Sequence, residues 1–112
     1  MKTDSEIEKL ANQFKILGDK TRLKILMVLK TQEMPVHKIV ERIETTQANV
    51  SKHLKILFEY GLVKKRHLKS SVLYSIKRDC IFEICDILYS SSEDDKLLKK
   101  SINIINENNS KS

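Results

Sequence analysis

Ile7, Leu10, Ala11, Phe14 and Leu17 recur at steps of three and four, so residues 4–17 form a first amphipathic helix that Gly18 stops. Asp19 caps a second helix, whose Leu23, Ile25, Leu26, Val28 and Leu29 make it apolar enough to sit centrally in the core. Residues 32–34 break it, and Pro35 suits the first position of a short third helix that buries Val36, Ile39, Val40 and Ile43. Thr46 then caps a fourth helix with two different faces. Val50, Leu54 and Leu57 make one buried stripe, and Gly61 supplies a left-handed stop. The opposite face carries Gln47, Ala48, Asn49, Ser51, Lys52 and Lys55, with Glu59 as its one acid.

After Gly61 the period changes from helical to alternating. Leu62 and Val63 lead into Lys64-Lys65-Arg66-His67, and Val72, Tyr74 and Ile76 alternate with Leu73, Ser75 and Lys77, which predicts a hairpin with its tip at residues 67–71. Asp79 can cap a fifth helix containing Ile81, Phe82, Ile84, Cys85, Ile87, Leu88 and Tyr89. That is too much apolar surface for one face, so the helix must be covered on two sides, and a second subunit is the economical cover. One stripe holds Phe82 and Tyr89 and a neighbouring one Ile81, Ile84 and Leu88; the pattern alone leaves open which of them meets a partner. Three serines at 90–92 interrupt the helix, and a last helix follows at about 93–106 with Leu98, Ile102 and Ile105 on one stripe.

A short helix, a turn of three or four residues and a second, basic, Thr-capped helix make a helix-turn-helix. Small residues at the start of the second helix let its backbone approach DNA, while amide and cationic groups reach base edges and phosphates. A hairpin placed after such a helix is a wing, and Lys69, Ser70 and Ser71 form a basic, hydroxyl-rich tip suited to phosphates, with Arg66 beside it. The expected architecture is mainly α with a β-hairpin wing, a dimeric winged helix-turn-helix in one domain over residues 1–112. Its helix-turn-helix falls at about 35–60 and its wing at about 62–77, with helices at about 4–17 and 79–90 outside them.

Charge sharpens this picture. The net charge is +6. Between Thr46 and Arg78 lie eight cations (Lys52, Lys55, Lys64, Lys65, Arg66, Lys69, Lys77, Arg78) against Glu59, a local +7, so the remainder sums to −1. Such segregation suits a polyanionic partner, double-stranded DNA first among them. A winged-helix module for protein interaction, with the basic patch serving only solubility, is the other reading. No nucleophile beside a base, no phosphate loop and no carboxylate pair is evident, so an enzyme is not expected.

The opening residues are polar and acidic, and the longest apolar run spans residues 25–29. No secretory leader, no membrane span and a cytoplasmic location are therefore expected. Two cysteines in that compartment are expected to be reduced. Five residues apart on a helix, Cys80 and Cys85 would point about 140° apart, which disfavours a disulfide between them. The three histidines sit on three different elements, without metal-ligand spacing. His53 either touches phosphate or packs beneath its helix, His67 lies near the wing tip and His37 on an exposed side of the third helix.

Three segments together resemble the ArsR (arsenical-resistance repressor) family of winged-helix regulators: Leu17-Gly-Asp-Lys-Thr-Arg-Leu-Lys-Ile-Leu26, then Thr46-Gln-Ala-Asn-Val-Ser-Lys-His-Leu-Lys-Ile-Leu57, then Gly61-Leu-Val63 with Tyr74-Ser-Ile76. The resemblance implies a homodimeric, sequence-specific transcriptional regulator, a repressor on a pseudo-palindromic operator. It implies that the fourth helix reads DNA and that the first and fifth make the dimer. The DNA-contacting set expected is Thr46, Gln47, Ala48, Asn49, Ser51, Lys52, His53, Lys55, Arg66, Lys69, Ser70 and Ser71, and the dimer set Ile7, Leu10, Phe14, Phe82, Cys85, Leu88 and Tyr89.

The chain departs from the family's metal and thiol sensors. Where some members carry a cysteine pair in the third helix it has Val36-His-Lys-Ile39. Where others carry metal ligands on the fifth helix it has Arg78 and Cys80, then Ser91 and Asp94, and Arg78 cannot ligate a metal. Where dithiol sensors carry a cysteine in the second helix it has Met27. No metal and no cofactor are expected. Cys80 and Cys85 are either packing thiols, or a sensing pair acting across the dimer axis or binding a soft metal with His residues, and the effector is unassigned.

Overall fold

The computed structural model describes residues 2–94. Its elements run α1 (Asp4–Leu17), α2 (Lys20–Thr31), α3 (Val36–Ile43), α4 (Gln47–Glu59), β1 (Val63–Leu68), β2 (Ser71–Ile76) and α5 (Cys80–Asp94). The described residues fall into two units, one ending at Arg78 and one beginning at Asp79.

Local chemistry explains most boundaries of the first unit. Thr3 and Glu6 form a reciprocal capping box at the start of α1. The Asp19 carboxylate accepts the Arg22 backbone N–H at 3.0 Å and opens α2, and the Thr46 hydroxyl accepts the Asn49 N–H at 3.1 Å and opens α4. Helix α4 closes in a Schellman motif: Leu62 N–H donates to Leu57 O at 2.9 Å and Gly61 N–H to Phe58 O at 3.0 Å. Gly61 has φ +73°, as its role requires. Gly18 stops α1 as expected, with φ −80°. The left-handed cap in this region belongs to Glu44, φ +52°, at the turn between α3 and α4.

Helix α2 packs against α3, α4 and β2, and Ile25, Leu26, Leu29, Ile39, Val50, Leu54, Leu57, Leu62 and Val63 are buried. Strands β1 and β2 pair antiparallel from Val63↔Ile76 to Leu68↔Ser71, which leaves only Lys69 and Ser70 at the tip, shorter than the five residues expected. Lys69 takes φ +58° and Ser70 does not share the positive sign, the φ pattern of a type II′ turn. The break before α3 contributes a one-residue third strand: Met34 and Tyr74 exchange two backbone hydrogen bonds of 2.9 and 2.8 Å. This bridge ties the wing to the helices, and Met34 is fully buried beneath it.

In the second unit α5 passes without interruption through residues 90–92. Serine is only a fraction of a kcal/mol worse than alanine inside a helix, roughly 0.5, too little to stop one. The helix expected at about 93–106 lies, after residue 94, outside the described residues. Ile81 and Phe82 are buried, while Ile84, Ile87, Leu88 and Tyr89 are exposed.

The two left-handed positions at helix ends, Glu44 and Gly61, respond oppositely to substitution. Glu44→Gly removes a Cβ from an unfavourable conformation and is expected to stabilise by about 0.5 kcal/mol, whereas Gly61→Ala imposes that conformation and costs about 1 kcal/mol. Urea unfolding of both variants checks the pair of signs, and a destabilised Glu44→Gly protein would contradict the account of the α3–α4 turn.

Candidate nucleic-acid interface

Helix α4 is divided as its sequence predicts. Val50, Leu54 and Leu57 face inward, and Gln47, Ala48, Ser51, Lys52 and Lys55 are exposed, with Thr46 exposed at the cap. Two expected contacts are reassigned. Asn49 is half-buried, and its side-chain amide donates to the Thr45 hydroxyl at 3.1 Å, so it braces the turn. His53, the second alternative above, packs beneath the helix: it is 6% exposed and takes no part in the outward face.

The seat of His53 is a junction of three helices. Arg22 of α2 donates through Nε to the Ile16 carbonyl at the end of α1, 2.7 Å. Its Nη1 lies 3.3 Å from His53 Nδ1. Arginine only donates, so Nδ1 accepts and the neutral imidazole carries its proton on Nε2. Asp19, which caps α2 on the Arg22 N–H, is held below the usual carboxylate range chiefly by that bond and further by the Arg22 charge. Burial holds His53 below its ordinary 6.5; Asp19 opposes this, and the Lys52 and Arg22 cations add to it.

The wing is less open than its basic run implies. Arg66 turns back over β2 onto Glu33, its Nε donating to Oε2 at 2.9 Å and its Nη2 to Oε1. That hydrogen bond and charge hold the Glu33 carboxyl below its ordinary range and push the Arg66 guanidinium up. The Lys65 ammonium stands 4.4 Å from the centroid of the Phe58 ring at the end of α4. At the tip, Lys69, Ser70 and Ser71 are exposed as expected.

Of the dimer set, Ile7, Leu10 and Phe14 on α1 are each about half exposed, and Leu88 and Tyr89 on α5 more so. Phe82 departs from the set, being 8% exposed within its own chain, and Cys85 is half-buried. Both cysteines are free thiols, Cys80 exposed. Among the described residues no three His, Cys, Asp or Glu side chains cluster as a metal site, and no helix is long and apolar enough to cross a membrane. Arg22 and Glu33 carry structure that the sequence reading missed. Arg22 had a signal, a cation three residues after a capping Asp on a helix whose Ile25, Leu26 and Leu29 are buried; Glu33, in a break between helices, had none.

Comparison with known proteins places this geometry. The model of the family described as bacterial regulatory protein, arsR family, matches residues 19–65. An uncharacterized HTH-type transcriptional regulator of Methanocaldococcus jannaschii is 39% identical over 82 residues, 72% of this chain and 92% of its own length. Among solved structures, NolR from Sinorhizobium fredii superposes with a TM-score of 0.71 at 28% identity, covering 77% of this chain and 86% of that one. The transcriptional repressor BigR from Xylella fastidiosa does so at 0.65 and 26% identity, covering 80% and 95%.

The His53 seat links stability to pH. A folded-state pKa below the unfolded one means the unfolded chain binds the proton more readily, so the contribution is complete above about 6.5 and is lost as pH falls below it. Wild-type unfolding free energy is expected to drop between pH 7.5 and 5.5, and His53→Gln to flatten that slope, the carboxylates titrating only at lower pH. An equal slope in both proteins would refute the buried neutral imidazole.

Proposed function

The chain belongs to the arsR family of bacterial regulatory proteins, and from that membership we propose that it is a sequence-specific DNA-binding transcriptional regulator, a homodimer that represses from a pseudo-palindromic operator. The observation that carries this reading is the bare, acid-free start of α4: Gln47, Ala48, Ser51 and Lys52 stand exposed on one face while Val50, His53, Leu54 and Leu57 anchor the other. Small side chains bring that helix end close to base edges, the amide and ammonium supply readout, and Lys55 and the Lys69–Ser71 tip supply phosphate contacts. Repression is supported by likeness to a named repressor. A DNA partner implies a cytoplasmic location.

The dimer is supported by apolar surface that one chain leaves uncovered. Helix α1 exposes Ile7, Leu10 and Phe14, and α5 exposes Ile84, Ile87 and Tyr89. Exposed apolar side chains recurring along a helix mark association surfaces. Two half-sites about one helical turn apart need two linked recognition helices, so assembly and specific binding stand together. The proposed interface omits Phe82, which is already covered, and adds Ile84 and Ile87.

Replacing Gln47 or Lys52 by Ala is expected to cost roughly 1–3 kcal/mol on the preferred site and to relax its sequence preference. Duplexes selected from random-sequence DNA supply the site; equal losses on selected and random duplexes would reduce these residues to phosphate contacts.

Leu10→Asp and Ile87→Asp place carboxylates on the proposed interface, and each is expected to give a folded monomer that has lost most operator affinity. Sedimentation and DNA titration read this together. A wild-type monomer at micromolar concentration, or a monomeric variant with full affinity, would sink the dimeric reading.

A further inference from the structure

The basic run on β1 looks from its sequence like a phosphate-binding edge, yet its arginine, although exposed, is paired with an acid of its own chain. Arg66 lies opposite Leu73, and the next residue of β2, Tyr74, is bridged to Met34. The guanidinium therefore reaches across β2 to Glu33, the residue before Met34, and grips both carboxylate oxygens. A two-point grip fixes orientation as well as distance. It also engages two of the guanidinium's five N–H donors. The Met34–Tyr74 bridge and the Lys65–Phe58 contact tie the wing to the helices, and the Glu33–Arg66 pair adds a further fixed point.

We propose that Glu33 is a positioning residue for DNA binding: through Arg66 it sets the angle of the wing, so that the tip at Lys69 and Ser70 meets the backbone beside the groove that α4 enters. Arg66 is the arm of this clasp and not a phosphate contact. The proposal rests on the DNA-binding reading above and deepens it. Charge and geometry make opposite demands on Glu33. An acid beside the +7 segment weakens attraction for a polyanion by charge alone, so its removal tightens binding if charge is all that matters and weakens binding if position matters.

The full-length chain, with a duplex it has selected from random-sequence DNA, tests this by affinity measured against salt concentration. Glu33→Ala and Arg66→Ala are each expected to weaken binding by roughly fivefold, with the salt slope unchanged and the double variant no weaker than either single one. Lys69→Ala is expected to lower the slope by about 0.9, the loss of one phosphate contact. Thermal melting by circular dichroism accompanies each variant, and Glu33→Gln, which keeps the side-chain shape, is expected to weaken binding in the same direction if Glu33→Ala fails to fold. Tighter binding by the Glu33 variants, or a lower slope in Arg66→Ala, would overturn the proposal and make Arg66 a phosphate contact for which Glu33 competes. Unchanged binding in both would reduce the clasp to a surface ion pair. A wild-type chain that binds no duplex would overturn the DNA-binding reading, and this role with it, whereas normal wild-type binding with a failed variant pattern overturns the clasp alone.

Discussion

One helix must be buried along one side and bare along the other, and the first unit is organised by that requirement. Val50, Leu54 and Leu57 anchor α4, each contributing roughly 1.5–3 kcal/mol by leaving water. Between them sits an imidazole, a polar group that is costly to bury without a partner. Arg22 supplies the partner and also binds the last turn of α1, so α1, α2 and α4 are locked through a single guanidinium. Among the described residues no buried side-chain nitrogen or oxygen lacks a hydrogen bond. The same lock leaves the small and amide residues of α4 outward, where an approaching duplex finds no acid before Glu59.

The wing shows how one basic composition divides between pairing within the chain and facing an incoming ligand. Strand alternation sends Lys65 over the Phe58 ring and Arg66 onto Glu33, so part of the cationic run fastens the hairpin to the helices. The tip residues beyond the last ladder pair remain in solvent. The two-residue turn that puts them there requires a positive φ at Lys69, a conformation a lysine tolerates at a cost of about 1 kcal/mol.

Helices α1 and α5 have the opposite imbalance, with apolar positions that their own chain does not cover. Helix α1 buries only Ile16 outright, although its heptad-like pattern is as regular as that of any core helix. Regularity without burial within one chain is what a homodimer interface leaves behind when a single subunit is viewed. It links the association state to the function, since each subunit carries one recognition helix.

The order of elements, the cap residues Asp19 and Thr46, the Gly61 stop and the two faces of α4 were all legible in the sequence. Each depends on residues within a turn or two of one another, and local chemistry decides them. The left-handed turn at Glu44 was not legible, because a glutamate carries no mark of that conformation, and neither was the continuity of α5 through three serines, whose propensity penalty is too small to act as a stop. Three outcomes belong to tertiary structure alone. His53 goes inward because Arg22, thirty-one residues earlier, offers it a donor; Arg66 pairs with an acid because the break before α3 lays Glu33 within its reach; and Phe82 is buried while Tyr89 is exposed. Side chains of one type are sorted by whichever partner the fold brings within reach, and periodicity along the chain contains no such distances.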